Sequence, residues 1–566
     1  MPGAMRHIAT EASYSGTSQR RVDGLAAGNG PDMRACDAVV IGSGISGLVA
    51  AAELSRAGWD VVVLEASPML GGAIRTAELT APGYRHEVFS CWHPLFVGGP
   101  AYHELKQDLD RRGLVYRNST TPVGVALTDG TTAVMSAGLE AELDGWADGD
   151  GAAWRREMAE FGDQSKIAFG ALSTELWSAA GAWLGLRALL SMKVRGSLAF
   201  TQSALEPATS WLQRAFRSDQ ARALVAPWIN HNGMGPDDAG SAFILKVIMS
   251  ALSQGGCPVP VGGGIRLVEA LASIVRDGGG ELHTGAAVDR IIVRSGRAVA
   301  AITSDGTAVS ARRAILASTT PQALYLGLLR DVGVPASVRD AASRYRWGRG
   351  DMQIHVALRE PLRWRDSRLD KVPLLHVTPG LTGIRKAVGE ASCGVLPARP
   401  TIVAGQPTVL DPSRAPAGGA VLWIQLLEVP YRPAADAAGA LDVADGTWTR
   451  ELTDAYADRV MVQLGEHVTN LDAAVVRRAV LSPADLEREN RNLVHGDPYS
   501  GACTLDQALL WRPVPPRPGH QTPVDRLWHI GASTHPGPGL SGASGHIVAS
   551  RLLKRSPVDR LRNLVG

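Results

Sequence analysis

A short glycine-rich turn constrains the fold of this chain more than any other feature. The turn, residues 42–47 (GSGISG), follows an apolar run at 37–41 (DAVVI) and precedes an alanine-rich segment at 48–57. The run predicts a buried strand, and the alanine-rich segment predicts a helix that ends at the following glycine. A second apolar run at 60–64 (DVVVL) completes a strand–helix–strand unit of the kind that binds dinucleotides.

Each glycine of this G-x-G-x-x-G pattern has a physical reason. Gly42 permits the tight turn, Gly44 lets a pyrophosphate approach the backbone, and Gly47 allows the helix to pack closely on the strand. The helix start offers free N–H groups to phosphates. Glu65 ends the second run, where it is expected to accept hydrogen bonds from ribose hydroxyls. The alternative is an ordinary glycine turn near an unrelated acid.

A second glycine pair follows Glu65, in the stretch EASPMLGGAIRT, which contains Gly71, Gly72 and Arg75. Here the sequence resembles the flavoproteins that include amine oxidases and phytoene desaturases. In those proteins a di-glycine and an arginine touch the pyrophosphate and the flavin side, so the resemblance implies FAD as the cofactor. A surface turn with an exposed arginine is the alternative interpretation.

A third glycine-rich feature lies near the C-terminus, in the stretch LWHIGASTHPGPGLSGASGHIVASRLL. A strand at Leu527–Ile530 is expected to lead through a loop into a terminal helix from about Gly542. In the FAD enzymes that the chain resembles, this helix start faces the pyrimidine edge of the isoalloxazine, where negative charge gathers on reduction. The alternative is a glycine-rich loop that merely caps the helix.

The loop THPGPG followed by SGASG narrows the resemblance to phytoene-desaturase-like proteins, including the β-carotene ketolase branch. Three further stretches resemble a subgroup called pyridine nucleotide-disulfide oxidoreductase domain-containing protein 2; they are GGAIRTAELTAPGYRHEVFS, PTVLDPSRAPAGGAVLWIQ and HGDPYSGACTLDQALLWRPVP. The likeness extends from about Asp37 to the C-terminus. Disulfide chemistry is not expected, because no paired redox cysteines occur.

The resemblance implies a cofactor site that is distributed along the chain. Val288 resembles a valine whose backbone contacts adenine, and Gly531 with the Ser541–Gly542 turn would lie against the ribityl and pyrimidine side. Many relatives have R-x-G-G-R, whereas Ala73 follows the glycine pair here. The residues expected around the ADP half are Gly42, Ser43, Gly44, Ile45, Ser46, Gly47, Glu65, Ala66, Gly71, Gly72 and Arg75.

The composition excludes several functions. The formal net charge of +2 is spread thinly, so nucleic acid is not an expected partner. The five cysteines are widely spaced, which predicts neither a metal site nor a disulfide framework. We expect a reducing, cytoplasmic setting. The apolar stretch at 168–202 leaves open a peripheral contact with a membrane, although domain packing is the plainer explanation.

At 566 residues the chain exceeds one compact core. We predict an α/β fold in which a three-layer, Rossmann-like FAD/NAD(P)-binding domain is intertwined with an α+β substrate domain. Residues 1–36 lack periodicity and are expected to form a disordered leader. The FAD-binding domain is predicted from 37–115, 258–320 and 500–566, and the substrate domain from 116–257, whose pattern is helical, and 321–499.

Catalytic residues are poorly marked, because hydride transfer to a flavin depends more on alignment than on a strong acid or base. His535, in the flavin loop, is the catalytic candidate, and a structural histidine is its alternative. His93 and His231 are weaker candidates for the cavity wall. A lysine near the flavin, as the amine-oxidase resemblance suggests, cannot be assigned between Lys246 and Lys386.

The expected activity is that of an FAD-dependent dehydrogenase or desaturase that takes hydride from a largely apolar small molecule. The electron acceptor is left open among oxygen, a quinone and another carrier, and the oligomeric state is left open as well. A carotenoid-ketolase-like or amine-oxidase-like flavoenzyme is the enzymatic alternative. A non-catalytic binding protein on the same fold, similar to the Rab GDP-dissociation inhibitors, is an alternative of a different class.

Overall fold

The computed structural model describes residues 34–136 and 149–554. Most of the predicted leader, residues 1–33, and the terminal residues 555–566 lie outside the described ranges. The predicted leader boundary at residue 36 is wrong, because the first strand already begins at Arg34. The Arg34 guanidinium makes ion pairs with Asp60 at 2.8 Å and Glu281 at 2.5 Å, which tie this strand start to its neighbours.

The strands of the described chain are short in the loops and longer in two central sheets. In chain order they are β1 (Arg34–Ile41), β2 (Val61–Leu64), β3 (Thr76–Ala77), β4 (His86–Glu87), β5 (Tyr116–Arg117), β6 (Val123–Leu127), β7 (Thr132–Met135), β8 (Val259–Pro260), β9 (Glu281–His283), β10 (Val288–Arg294), β11 (Arg297–Thr303), β12 (Ala308–Ser318), β13 (Gly350–Leu358), β14 (Leu374–Thr378), β15 (Val395–Leu396), β16 (Ile402–Gly405), β17 (Ala420–Val429), β18 (Ala435–Asp436), β19 (Val475–Leu481), β20 (Pro513–Val514), β21 (Arg517–Pro518) and β22 (Leu527–Ile530).

The α-helices of the described chain are concentrated between the sheets and over their faces. They are α1 (Ile45–Arg56), α2 (Pro94–Val97), α3 (Pro100–Arg111), α4 (Asp150–Leu172), α5 (Ala179–Leu205), α6 (Ala208–Ala215), α7 (Asp219–Val225), α8 (Ser241–Gly255), α9 (Ile265–Asp277), α10 (Ala336–Ser343), α11 (Gly380–Ser392), α12 (Arg450–Gly465), α13 (Leu471–Ala474), α14 (Pro483–Glu489) and α15 (Ala543–Leu553). A π-helical turn spans Ala323–Leu328, and short 3₁₀ turns lie in the loops.

The first sheet has the order β10-β11-β12-β1-β2-β9, and β22 pairs with the C-terminal part of β12. Strands β9, β2, β1, β12 and β22 run parallel, whereas β10 and β11 are antiparallel to their partners. The strands come from three separated parts of the chain. This sheet therefore brings residues near both ends of the described chain together.

Helices cover both faces of the first sheet. On one face, α1, α9 and α15 bury apolar side chains such as Leu48, Leu271 and Val548. On the other face, the π-helical turn and α10 contribute Tyr325 and Val338 to a second cluster. Strands β1 and β2 are buried on both sides, which explains their continuous apolar runs. The predicted three-layer α/β fold class is confirmed.

The second sheet has the order β19-β13-β17-β16-β14-β6-β7. Helix α12 packs on one face of this sheet through Tyr456, Val460 and Leu464. The other face contributes Trp423 and Leu427 to a core shared with the helices between residues 150 and 255. The second sheet thus presents one side to a packed helix and the other side toward the interior.

The helical prediction for 116–257 is partly wrong, because β5, β6 and β7 lie at its start. Strand β6 (VGVAL) is fully buried and pairs in parallel with β14 and antiparallel with β7. A short apolar run of this kind is compatible with a buried strand and with a helical segment. The strands that pair with it lie elsewhere in the chain, so periodicity alone cannot tell the two apart. Within the described ranges, no helix has both the length and the apolar character that crossing a bilayer requires.

Candidate functional site

A cavity of about 770 Å³ opens between the two sheets. One wall consists of the loops that follow the parallel strands of the first sheet, including the turns after β1 and β2. The opposite wall comes from β13, β14, β17 and α8. Ligands of open α/β sheets bind at the carboxyl ends of the strands, which is where this cavity lies.

The G-x-G-x-x-G turn shapes the first wall through its missing side chains. Gly42 has a φ of +92°, in the left-handed region. A Cβ built on Gly47 would lie 2.1 Å from the Gly42 carbonyl oxygen, so the close helix–strand contact requires glycine. A Cβ on Gly44, which precedes α1, meets nothing within 4 Å. Gly44 therefore leaves an open cradle at the start of a helix.

Glu65 joins the turns that follow β1 and β2. Its carboxylate accepts hydrogen bonds from the backbone N–H and the hydroxyl of Ser43, both at 2.7 Å, and from the Ser67 N–H at 2.8 Å. The same residue lines the cavity. Glu65 thus fixes the glycine turn and also presents a carboxylate edge to a ligand.

The second glycine pair lies directly against the first turn. A Cβ on Gly72 would be 2.9 Å from the Gly44 Cα, and the Gly71 N–H donates to the Ser43 hydroxyl at 3.1 Å. Arg75 lines the cavity and ion-pairs with Glu489 at 2.6 Å. Its side chain is only 14% exposed, so this arginine does not sit on a solvated surface turn.

The C-terminal loop closes the same wall. The Gly531 N–H donates to the Ser544 hydroxyl at 3.0 Å, which connects the end of β22 to the first turn of α15. Gly542, with a φ of +67°, precedes α15, and its Cβ would be 2.8 Å from Val49 of α1. The C-terminal helix start is therefore placed beside the N-terminal glycine turn.

The structure brings most of the predicted cofactor residues to one cavity. Those that line it are Gly42, Gly44, Ile45, Ser46, Glu65, Ala66, Gly72, Arg75, Val288, Gly531 and Ser541. The others lie behind this wall, where they support the turns: Ser43, Gly47, Gly71 and Gly542.

The geometry does not support the catalytic role predicted for His535. Its side chain is buried, and its Nε2 is 2.8 Å from the Ala171 carbonyl oxygen of α4. It is absent from the residues that line the cavity. Burial lowers the pKa of His535 to about 4, so the ring is neutral. The structural alternative fits this position, since the ring joins the flavin loop to the helical part.

His93 and His231 do line the cavity. The Nδ1 of His93 is 2.9 Å from the Tyr116 hydroxyl, and the Nε2 of His231 is 2.9 Å from the Nε2 of His376. Burial lowers the pKa of His93 to about 3 and that of His231 to about 4. Both rings are therefore neutral near pH 7 and present polar but uncharged surfaces.

Neither candidate lysine reaches the cavity. The Lys246 ammonium lies 3.3 Å from the Glu157 carboxylate and above the Trp211 ring, within a buried contact between helices. Lys386 is exposed on α11 beside Glu390. Among the described residues that line the cavity there is no lysine at all.

The opposite wall contains polar residues that the sequence did not reveal. Asp351 and Gln353 of β13 and Gln425 of β17 line the cavity next to Trp423. Gln353 and Gln425 are direct cross-strand neighbours. The only sequence signal was polar residues within otherwise apolar strands, and without the strand pairing that signal identifies no site.

These residues fit a dinucleotide cofactor. The cradle at Gly44 has room where a side chain would otherwise stand, and the α1 start directs N–H groups into it. The buried Nε of Arg75 has no hydrogen-bond partner in the described chain, which leaves a donor available to a phosphate. Across the cavity, an apolar and aromatic wall leaves space for a substrate.

Comparison with known proteins supports this assignment. Pyridine nucleotide-disulfide oxidoreductase domain-containing protein 2 of Mus musculus is 27% identical, over 91% of this chain and 92% of its own. One of the limonene dehydrogenase subunits of Castellaniella defragrans is 24% identical, over 92% and 94%. A phytoene desaturase of Rhodobacter capsulatus is 24% identical, over 91% and 93%. The predicted resemblance to phytoene-desaturase-like proteins is confirmed. The predicted resemblance to the subgroup of pyridine nucleotide-disulfide oxidoreductase domain-containing protein 2 is confirmed as well.

Solved structures and a family model agree with the relatives. An oxidoreductase from Methanosarcina mazei has a TM-score of 0.57 at 16% identity, over 91% of this chain and 100% of its own, which shows the shared fold. The family described as flavin containing amine oxidoreductase matches residues 45–537. The non-catalytic alternative is therefore wrong, and the predicted cofactor FAD is confirmed. The chain belongs to the family of flavin-containing amine oxidoreductases and is an oxidoreductase enzyme.

Proposed function

We propose that the protein is an FAD-dependent dehydrogenase or desaturase that takes hydride from a largely apolar small molecule. The observation that carries this proposal is the cavity itself, in which the glycine cradle faces an apolar and aromatic wall. The apolar part of that wall includes Trp92, Trp228, Ile248, Leu252, Leu374, Trp423 and Leu427. Such a surface excludes water and binds an apolar molecule through burial.

The chain's own residues would bind and orient the reactants. The α1 start and Arg75 would hold the pyrophosphate, and Glu65 would hold the ribose. FAD supplies a two-electron oxidant for a C–H bond. The neutral rings of His93 and His231 add polar contacts without a charge that would oppose an apolar substrate.

Two relatives are named for reactions of limonene and phytoene, which supports an apolar substrate for this chain as well. An amine substrate is the second candidate, favoured by one observation. The cavity wall contains the Asp351 carboxyl, and no cation lies within ion-pair distance of it among the described residues. A ketolase-like reaction is the remaining alternative; beyond the first hydride removal it would need a source of oxygen, such as water, and a second two-electron oxidation.

We further propose that the enzyme contacts a membrane from which an apolar substrate could enter. Five large apolar side chains of α5, namely Trp183, Leu186, Leu189, Leu190 and Leu198, are between 46% and 69% exposed. Helix α5 contacts α8, whose Ile248 and Leu252 line the cavity. Oxygen or a membrane quinone is proposed as the electron acceptor.

Anaerobic reduction of the bound flavin tests the proposed activity. The purified holoenzyme would be mixed with carotenoid, steroid, fatty and amine compounds, and with NADPH, while the flavin absorbance is recorded. We expect an apolar compound to bleach the flavin and NADPH to have no effect. Bleaching by amines alone would select the amine-oxidase-like alternative. Bleaching by NADPH alone would replace the proposal with a reductase.

A further inference from the structure

The carboxyl groups of Asp351, Glu428 and Asp497 are buried on or beside the second sheet, and they differ in their partners. Glu428 is saturated, since it accepts from the Asn230 amide at 2.6 Å and from the Thr401 N–H and hydroxyl at 2.7 and 2.8 Å. Asp497 accepts from three backbone N–H groups, each at 2.8 Å. Neither residue lines the cavity. Because the carboxyl groups of Glu428 and Asp497 already have hydrogen-bond partners and do not border the cavity, we assign both a structural role.

Asp351 is the exception. It lies on β13, is 1% exposed and lines the cavity. Its Oδ2 accepts from the Gln353 amide at 3.1 Å and the Gln425 amide at 2.7 Å. Its Oδ1 is buried and has no hydrogen-bond partner within the described residues. A buried oxygen with no partner is rare, and here it belongs to a carboxyl beside a large cavity.

The surroundings hold this carboxyl in one orientation. The Trp423 indole N–H donates to the Gln353 carbonyl oxygen at 3.0 Å and to the Phe89 carbonyl at 2.9 Å. Gln353 is therefore fixed in the rotamer that directs its amide to Asp351 Oδ2. Because two amides occupy Oδ2, Oδ1 is the oxygen whose capacity to accept a hydrogen bond is unused in the described chain.

Other polar atoms of the same cavity also lack partners. The indole nitrogens of Trp92 and Trp228 and the Nε2 of His93 are buried without a hydrogen bond in the described chain. All three residues line the cavity. An indole N–H is only a donor, so these groups suit a substrate that carries an acceptor oxygen or nitrogen on an otherwise apolar body.

We propose that Asp351 is a catalytic residue that accepts the substrate's proton through Oδ1, and that the substrate is apolar with at least one polar group. This inference rests on the proposed oxidoreductase function. In the step, a substrate C–H bond would break and its electron pair would leave as hydride, for which FAD held in this cavity would be the two-electron acceptor. A neighbouring O–H, N–H or C–H bond would release its proton to Asp351 Oδ1, and a double bond would form in the substrate. The substrate would lose two electrons and the Asp351 carboxylate would become a carboxylic acid.

The electrostatic surroundings suit a base that works near neutral pH. Burial raises the pKa of Asp351 to about 7, and the nearby Asp497 adds to this rise. Tyr499, whose hydroxyl donates to the Asn230 carbonyl, also interacts electrostatically with Asp351. The pKa of Tyr499 is raised well above its ordinary value by burial, so it stays neutral. A base with a pKa near the working pH is deprotonated in a large fraction of the molecules and still binds a proton strongly.

A measurement without turnover tests whether Asp351 meets a ligand. Infrared difference spectra of the holoenzyme would be recorded between about pH 5 and about pH 9, with and without octanol, in wild type, Asp351→Asn and Glu428→Gln. We expect two carboxyl bands that titrate near pH 7, because burial raises the pKa of Glu428 as well as that of Asp351 to about 7. The band that shifts when octanol is added should be lost in Asp351→Asn and kept in Glu428→Gln. Octane, which lacks the hydroxyl, is the control probe and should not shift the band.

A kinetic measurement tests the proton transfer. With the compound that bleaches the flavin fastest, Asp351→Asn should lower the rate constant of flavin reduction by about 10²-fold or more, with little change in substrate affinity. The wild-type rate should rise with pH up to about 7, whereas the Asn variant should show no such rise. Should the Asn variant not fold, Asp351→Glu keeps a carboxyl and should retain the pH dependence at a reduced rate.

The outcomes separate this inference from the proposed function. If a compound reduces the flavin but Asp351→Asn behaves like Glu428→Gln, the role of Asp351 is overturned and the oxidoreductase assignment stands. If no compound of the panel reduces the flavin, the proposed function fails, and the octanol-sensitive band alone decides whether Asp351 contacts a ligand. If the Asp351 carboxyl band does not shift when octanol is added, the inference is overturned.

Discussion

Gly545 of α15 lies so close to Ser46 of α1 that a Cβ on Gly545 would be 1.9 Å from the Ser46 carbonyl oxygen. These residues lie at opposite ends of the chain, and their contact joins the two helix starts that face the cavity. The Ser46 carbonyl belongs to the glycine turn, so a displaced α15 would also displace the cofactor wall.

We therefore expect Gly545→Ala to lower the free energy of unfolding by about 3 kcal/mol or more, because backbone rather than a flexible side chain opposes the new methyl group. The variant should also lose bound flavin. Thermal unfolding and flavin content measure both effects. Gly389→Ala, in a helix where a Cβ meets nothing within 4 Å, is the control and should remain stable and yellow.

A buried ion cluster explains the selective DPSRAP stretch. The Arg414 guanidinium contacts Glu87 and Asp411, and these acids accept N–H bonds from Gly264 at 2.8 Å and Gly262 at 2.7 Å. The cluster thereby connects the loop before α9 with β4 and with the loop before β17. It is a structural feature, although its sequence pattern is among the most specific in the chain.

Removal of this arginine should be costly. Arg414→Met leaves two buried carboxylates without their cation, and we expect a loss of about 3–5 kcal/mol in the free energy of unfolding. Denaturant unfolding measures this loss. Arg399→Met removes an exposed pair with Glu466 and should cost less than about 1 kcal/mol. Equal losses in the two variants would contradict the importance of the buried cluster.

Asp351 should make stability depend on pH in an unusual direction. Its pKa is raised from 3.8 to about 7, so the native state holds a proton that the unfolded state releases between these values. Stability must therefore fall as pH rises through that window. Asp351→Asn should be about 2 to 4 kcal/mol more stable than wild type near pH 9 and similar near pH 4. A variant that is less stable at both pH values would show that the carboxyl supports the fold.

The proposed membrane contact predicts a surface phenotype. In the double variant Trp183→Ser with Leu190→Ser, binding to vesicles of phosphatidylcholine and phosphatidylglycerol should weaken by about tenfold or more, because two large exposed side chains no longer insert. Cosedimentation measures the binding. Val462, which is 70% exposed on α12, offers the control Val462→Ser. If the wild-type protein does not cosediment with these vesicles, the proposed membrane contact is wrong.

The local parts of the fold were predictable because their signals are local. The glycine turn, the apolar runs on either side and the β22 strand follow from spacing and turn chemistry alone. The helix after the turn begins at Ile45 rather than at Leu48, since its first turn uses residues of the glycine pattern itself. The resemblance supplied what spacing could not, namely that the second glycine pair approaches the first.

The substrate side could not be predicted in the same way. Gln353 and Gln425 become neighbours through the pairing of β13 with β17. The sequence around either residue does not specify the register of that pairing. His535 failed as a catalytic candidate for a related reason, because its position in a loop does not fix the direction of its ring. Strand β6 was missed because its parallel partner, β14, lies far along the chain.

Bound flavin is the most direct test of the whole account. A Cβ on Gly44 meets open space and its φ of −61° suits any residue, so Gly44→Val should fold while its side chain fills the cradle. Gly333→Val, at another open position, is the matched control. We predict that wild type and Gly333→Val release about one FAD per chain on denaturation, and that Gly44→Val is folded but colourless. Folded wild-type protein that contains no flavin and cannot be reconstituted with FAD, or a Gly44→Val variant that keeps its full complement, would contradict the account.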